Sequence, residues 1–297
     1  MKSGFVAVAG RANAGKSTLI NVLVGEKVSI VSPKPQTTRD RIIGVYNAKD
    51  TQIVFIDTPG IYSSKNLLNA VMQKTTTDSV KEVDAILFLV DAHEGVIEKD
   101  KETLKEFIKV NKNTILVLTK TDITQESVLI SAIKEFSEVC DKIVPVSARK
   151  GKNLKELIKV IASVLDFGDR IFGDDVISDK SEKFMISEIM REKILLKFEK
   201  EIPHGVAIIV NKFAFNEKRD LYEVNLDIVC EKQNHKAILI GKQGSKIKEV
   251  SSFARTDMEK FLGKKVFLTT YIKVEEDWRN STRFIKEHGY GGEDNFS

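Results

Sequence analysis

At 297 residues and 33.4 kDa the chain is longer than one typical domain and shorter than three, so two domains are expected. Its 42% hydrophobic and 30% charged residues exclude a wholly disordered chain. Lysine and arginine number 47 against 43 aspartates and glutamates; a net charge of +4 excludes a histone-like polycation and makes any nucleic-acid surface a local patch. The longest strongly apolar stretch, near Ala85–Val90, is far below the roughly 20 residues of a membrane-spanning helix. Met1-Lys2-Ser3-Gly4 runs directly into a β-like segment without a secretory apolar region. Cys140 and Cys230 lie far apart, outside any C-x-x-C pair, and read as ordinary thiols of a soluble cytoplasmic protein.

The first half alternates two kinds of segment. Phe5–Ala9, Gln52–Asp57, Ala85–Asp91, Thr114–Thr119 and Lys142–Val146 are near-continuous Val/Ile/Leu runs, as expected of strands covered on both faces. Lys16–Val24, Lys101–Val110, Val128–Val139 and Leu154–Leu165 have helical length, and a further strand is placed at Ile42. Leu154, Leu157, Ile158, Ile161 and Leu165 fall on one helical face. Strand–helix alternation predicts an α/β, doubly wound domain over residues 1–165. Residues 166–181, with two glycines, several aspartates and no period, read as a linker.

Beyond it, a helical stretch over Phe184–Glu199 stops before Pro203. The runs Val206–Phe215 and Leu221–Cys230 flank a polar turn and predict a hairpin. Ala237–Ile240, a glycine-bounded loop, another helix and the strand Val266–Val274 complete the order α-β-β-α-α-β over residues 182–280. The tail, 281–297, is polar and glycine-rich and reads as loose, with no assigned role.

Gly10-Arg-Ala-Asn-Ala-Gly15-Lys16-Ser17 fits G-x-x-x-x-G-K-[ST] between a strand and a helix. Such glycines let backbone N–H groups curl around phosphates, at the positive end of the helix. Lys16 can then reach the β- and γ-phosphates, and Ser17 can ligate Mg²⁺. Asp57-Thr58-Pro59-Gly60 follows a strand; a carboxylate there suits Mg²⁺ through water, and Gly60 can offer its N–H to a γ-phosphate. Thr119-Lys120-Thr121-Asp122 also ends a strand. Asp122 can accept from N1–H and N2–H₂ of guanine, a pair adenine lacks, while Lys120 lays its alkyl stem over the base. Ser147-Ala148, closing the next strand, can present a backbone N–H to guanine O6.

These elements, in this order, resemble four motifs of the small GTPase fold. The resemblance implies GTP binding by Gly10, Arg11, Ala12, Asn13, Ala14, Gly15, Lys16, Ser17, Thr18, Asp57, Thr58, Pro59, Gly60, Ile61, Thr119, Lys120, Thr121, Asp122, Ser147 and Ala148. It also requires a Mg²⁺-binding threonine in Gln36-Thr37-Thr38-Arg39; Thr38, which precedes arginine, is preferred, and Thr37 stays open. Ile61 stands where Ras-like proteins carry a water-positioning glutamine. In this it is similar to hydrophobic-substituted GTPases, which implies slow intrinsic hydrolysis and a K⁺ held partly by Asn13. Lys16 and Thr38 would be the residues acting on the reaction.

In the second half, Ile238-Leu-Ile-Gly241-Lys242-Gln243-Gly244-Ser-Lys246-Ile-Lys248 precedes a helix with Ile247, Val250, Ala254 and Met258 facing inward. Glycines around Lys242 and Gln243 let nucleic-acid backbone approach closely. Lys232, Lys236, Lys242, Lys246, Lys248, Arg255, Lys260, Lys264 and Lys265 against Glu249, Asp257 and Glu259 supply the local positive excess. This segment resembles a type II KH domain, with RNA contacts expected at Ile240, Gly241, Lys242, Gln243, Gly244, Lys246, Lys248 and Arg255.

From Phe5 to Arg279 the chain resembles the bacterial Era GTPases. The carriers are Q-T-T-R at Gln36–Arg39, I-x-x-I-M-R-E-K-I-L at Ile186–Leu195, E-I-P-H at Glu201–His204, I-G-K-Q-G-S-K-I-K, and K-V-E-E-D-W-R at Lys273–Arg279. The resemblance implies a GTP-controlled factor that binds the 3′ end of 16S ribosomal RNA, assists maturation of the 30S subunit and associates peripherally with the inner face of the cell membrane; a monomer is expected, with the oligomeric state left open by the sequence. The other reading is a membrane-associated cell-cycle factor whose KH domain meets protein or lipid. The chain departs from the family at Thr119, where asparagine is usual, and at Ala12 and Ala14, where proline and valine are usual.

Overall fold

The computed structural model describes residues 1–59, 66–79 and 82–288, with backbone alone at 75–78. The chain divides into two compact units after Asp179, and of the earlier residues the short segments 30–37 and 66–69 belong to the second.

In the first unit the elements run β1 (Lys2–Gly10), α1 (Lys16–Val24), β2 (Ile42–Ala48), β3 (Thr51–Asp57), α2 (Leu67–Ser79), β4 (Ala85–Asp91), α3 (Glu98–Val110), β5 (Thr114–Thr119), α4 (Glu126–Ser137), β6 (Ile143–Pro145) and α5 (Leu154–Val164). The sheet order is β2-β3-β1-β4-β5-β6. All neighbours are parallel except β2 and β3, which pair antiparallel. Every residue of β4 and β5 is buried, the pattern of a sheet with helices on both faces. Val6, Val8, Leu87, Leu89, Ile115 and Val117 pack with α1 and α5; Phe88, Val90, Leu116 and Leu118 pack with α3 and α4. Strand order reverses about β1, so β1, β3, β4 and β5 end along one rim, where ligands of open α/β sheets bind.

The stretch read as a linker is tied into this unit. It lies against the free edge of β2: the Val45 N–H donates to the Ile177 carbonyl at 2.8 Å, and the Ile43 N–H to Asp179 Oδ1 at 2.9 Å. Covering an exposed edge in this way removes a template for unwanted strand pairing. Gln52, fully buried, completes the attachment. Its carbonyl accepts from the N–H groups of Ile171 (2.7 Å) and Phe172 (2.9 Å), and its amide donates to the Phe172 carbonyl at 2.9 Å.

In the second unit the order is α6 (Glu182–Lys197), β7 (Val206–Asn216), β8 (Leu221–Cys230), α7 (Gln233–Ile240), α8 (Ser245–Leu262), β9 (Lys265–Val274) and α9 (Thr282–Glu287). β7 and β8 form the antiparallel hairpin, and β9 adds parallel to β8. Val250, Ala254 and Met258 of α8 and Ile186, Ile189, Met190 and Ile194 of α6 build the core against Val224, Leu226 and Ile228. Trp278 is fully buried and donates Nε1–H to the Gly205 carbonyl at 3.0 Å; Arg279 grips Glu231 with two bonds of 2.9 and 2.6 Å. The start of the tail is not loose. Ser281 caps α9, and Phe284 and Ile285 are buried there, so an apolar pair overrides the polar composition around it.

The signature on α6 holds the segment Ile30–Thr37 within this unit. Arg191, 1% exposed, is paired with Glu188 and donates to the Thr37 carbonyl; Glu192 Oε1 accepts from the Val31 N–H at 3.0 Å. Lys34 donates to the Phe198 carbonyl.

Gln52→Leu should leave the part-buried N–H groups of Ile171 and Phe172 without their acceptor. A loss of about 2–4 kcal/mol in urea unfolding is expected, with faster proteolytic cleavage between residues 167 and 179. Unchanged stability and cleavage would show that Gln52 does not hold this segment.

Candidate functional site

The P-loop leaves β1 at Gly10, where φ is +149° and a Cβ would lie 2.4 Å from the Leu89 carbonyl oxygen, so only glycine fits. Asn13 (φ 64°) and Gly15 (φ 90°) are also left-handed, which curls the backbone before α1. Lys16 is buried and its ammonium donates to the carbonyls of Gly10 (3.1 Å) and Arg11 (2.9 Å). Burial lowers its pKa to about 8, against the pull of Asp57. The side chain of Arg11 is engaged by Asp100 and Glu94, Ala14 is buried, Ala12 and Thr18 are half-buried, and Asn13 is exposed.

Asp57 closes β3 with no exposure. Ser17 and Ser29 each donate to its Oδ2 at 2.7 Å, and the Thr38 hydroxyl lies 3.4 Å from the same oxygen and 3.0 Å from Ser17 Oγ. Burial raises the pKa of this carboxyl, and these hydrogen bonds and Lys16 oppose the shift. Asp57 Oδ1 is buried and has no hydrogen-bond partner among the described residues. One bare carboxylate oxygen beside two hydroxyl oxygens is a hard, all-oxygen donor set that fits Mg²⁺. Thr37 is engaged elsewhere, its hydroxyl donating to the Lys34 carbonyl at 2.7 Å. Thr58 is buried and donates to the Val8 carbonyl at 2.9 Å, and Pro59 is buried beside it. Gly60 and Ile61 lie outside the described residues.

At the end of β5, Thr119 reaches the P-loop. Its hydroxyl lies 2.8 Å from the Ala14 carbonyl and 3.2 Å from that of Val90, which ties β5 to the P-loop. Lys120, at φ 58°, pairs with Asp91 at the end of β4 (2.5 Å). Asp122 accepts from Ser147 Oγ at 2.6 Å, and that bond is the largest cause of its lowered pKa. Thr121 binds the Val146 carbonyl through its N–H at 3.3 Å, and Ala148 follows the fully buried Ser147. Asp122 is thus an ionised double acceptor, as guanine requires.

Sequence reading missed Ser29 and Asp91. Neither stands in a phosphate or base motif; the one available signal was that Asp91, like Asp57, ends an apolar strand.

In the second unit, Gly241 (φ 71°) and Gly244 (φ 76°) bracket a tight turn, with Gln243 also left-handed at 50°. A Cβ on Gly241 would lie 2.7 Å from Lys246 Cγ. Lys242, Gln243, Lys246, Lys248 and Arg255 are exposed, while Ile240 is half-buried. The wider positive excess is not all free: Lys260 pairs with Asp257, Lys265 with Glu259 and Lys264 with Asp220. Chain distance concealed that last partner.

The family described as a 50S ribosome-binding GTPase matches residues 5–120, and the KH domain family matches residues 201–279. The GTPase Era of Clostridium kluyveri is 44% identical, over 98% of this chain and 99% of its own. A crystal structure of Aquifex aeolicus Era bound to GDP·AlF4⁻ superposes with a TM-score of 0.93 at 39% identity, covering 98% of this chain and 99% of that one. Era in complex with MgGDPNP and nucleotides 1506–1542 of 16S ribosomal RNA matches with the same score, identity and coverage.

Thr119→Val keeps the shape and removes the hydroxyl, so GDP should bind about five- to tenfold more weakly, the worth of one buried hydrogen bond. Thr119→Asn should bind at least as tightly as the parent. Fluorescence titration giving valine the parent's affinity would remove this bond from nucleotide binding.

Proposed function

The chain belongs to the Era family of GTPases, and from that premise we propose that its GTP-controlled output is binding of the 3′ end of 16S ribosomal RNA during maturation of the 30S subunit. The observation that carries the RNA half is the Gly241–Gly244 turn, with Lys242 and Gln243 exposed between two left-handed glycines. Backbone phosphate can approach such a turn at Gly244, where a Cβ would face open space, and Lys242 supplies the charge. The Era crystallised with 16S nucleotides supports this choice of RNA.

On the nucleotide side, guanine is selected by Asp122, oriented by Ser147, with the Lys120 stem on the base and the Ala148 N–H near O6. Lys16 exchanges the carbonyls of Gly10 and Arg11 for the β- and γ-phosphate oxygens. Its partial desolvation strengthens that interaction as charge develops on the transferring phosphoryl group. Ser17 and Thr38 would hold Mg²⁺ directly, and Asp57 through water; bound there, the ion neutralises phosphate charge. Asn13, exposed at the loop's outer turn, is suited to share a K⁺ with the nucleotide. Isoleucine at 61 cannot orient the attacking water by hydrogen bonding as a glutamine would, which supports slow turnover.

Turnover should be higher in K⁺ than in Na⁺ at equal ionic strength, and Asn13→Ala should erase the difference. Equal rates in both salts for the parent remove the monovalent ion from the mechanism.

Replacing Lys242 and Gln243 by aspartates should abolish binding of a 16S 3′-end oligonucleotide by repelling phosphate. The core at Val250 and Ala254 is left untouched, and GDP affinity should not change. A folded double variant that binds the oligonucleotide as well as its parent across a salt titration would reject this reading. Retained binding of anionic vesicles would then favour the membrane-associated alternative.

A further inference from the structure

We infer that Asp100 is a positioning residue for nucleotide binding: through its ion pair with Arg11 it fixes the first half of the P-loop in the form that receives phosphate. The inference rests on reading that loop as the phosphate site.

Arg11 is the residue whose carbonyl takes both the Lys16 ammonium (2.9 Å) and the Ala14 N–H (3.3 Å). Turning its peptide therefore breaks the loop's internal bond and displaces Lys16. The side chain is fixed at its far end: Nε lies 3.0 Å from Asp100 Oδ1, and Nη1 is 3.7 Å from Glu94 Oε2. Asp100 sits in the first turn of α3 and is 1% exposed, whereas Glu94 is half open to solvent, so the strong contact is the one with Asp100. Arg11 Nη2 and Asp100 Oδ2 are both buried without hydrogen-bond partners among the described residues. Removing either group leaves Arg11 with only the longer contact to the more exposed Glu94, and Asp100 without a cation at its Oδ1.

Few other tethers exist in this half of the loop. Alanines at 12 and 14 neither fix φ nor donate through a side chain, and Asn13 is exposed. Burial and the nearby Glu94 oppose the charged form of Asp100, while Arg11 and the Ile97 backbone favour it. The Ile97 contact is the bland alternative: a carboxylate that merely serves the start of α3. Asn can still accept that bond but cannot pair with a guanidinium as an anion, so Asp100→Asn separates the two roles.

The experiment follows release of a fluorescent GDP from the parent, Asp100→Asn, Arg11→Gln, the double variant and Arg11→Lys, with unfolding of each nucleotide-free protein alongside. Each neutralised single variant should release GDP about tenfold faster, the double no faster than either single, and Arg11→Lys should stay within about twofold of the parent. The β-phosphate resonance of bound GDP should shift in ³¹P NMR for the neutralised variants only. Parent-like release from folded Asp100→Asn overturns the inference, as do single effects that multiply in the double. If Asp100→Asn does not fold, Arg11→Gln against Arg11→Lys decides: equal release from both overturns it. A parent protein that binds no GDP refutes the reading of the site itself.

Discussion

One buried carboxylate governs the nucleotide end of the first unit. Asp57 has no exposure, and a charge there costs several kcal/mol unless polar groups surround it. The chain supplies Ser17 from α1, Ser29 and Thr38 from the segment before β2, and Lys16 from the P-loop. Stretches far apart in the chain are therefore gathered on one atom group. The donors crowd onto Oδ2 and leave Oδ1 bare, which is the opening through which this cluster can serve a cation rather than merely satisfy itself.

How much of this was legible in the sequence depended on whether the cause was local. α1, β4 and β5 were read with their ends correct, because glycines, polar turns and unbroken apolar runs mark them. α2 went unread: its last turns carry Thr-Thr-Thr-Asp-Ser, poor helix formers. Residues 166–181 read as a linker because what orders them is the edge of β2 and the amide of Gln52, more than a hundred residues away. The phosphate and base motifs stood out since their chemistry fixes residue types at fixed spacing. Ser29 carries no such constraint; a serine in a loop gains its meaning only when folding brings it to Asp57.

The α6 signature makes the same point in the second unit. Glu188, Arg191 and Glu192 are buried on a helix whose other buried residues are apolar, a pattern that needs specific partners. Glu188 pairs with Arg191, and Arg191 and Glu192 reach the backbone of Thr37 and Val31. Main-chain atoms leave no trace in side-chain patterns, so the motif could be recognised as a family mark without its role being visible. The positive patch erred in the opposite direction: composition counted charges that the fold had already paired, and outside those pairs stand Lys242, Lys246 and Lys248 at and just after the Gly241–Gly244 turn.

A phosphate loop has to be irregular, since its N–H groups must point at the ligand rather than at one another, and irregular backbone cannot hold itself by ladder hydrogen bonds. Beyond its few internal bonds, its shape depends on side chains outside it. Here Thr119 holds the carbonyl of Ala14, and Asp100 holds Arg11, whose carbonyl in turn seats Lys16. The tethers come from β5 and α3, elements packed into the core, so the loop inherits the rigidity of the sheet without belonging to it. For that tether a threonine at position 119 is sufficient. A hydroxyl supplies one proton, and the carbonyl of Ala14 requires one donor; the second amide hydrogen of an asparagine would be an addition to the tether, not a condition of it.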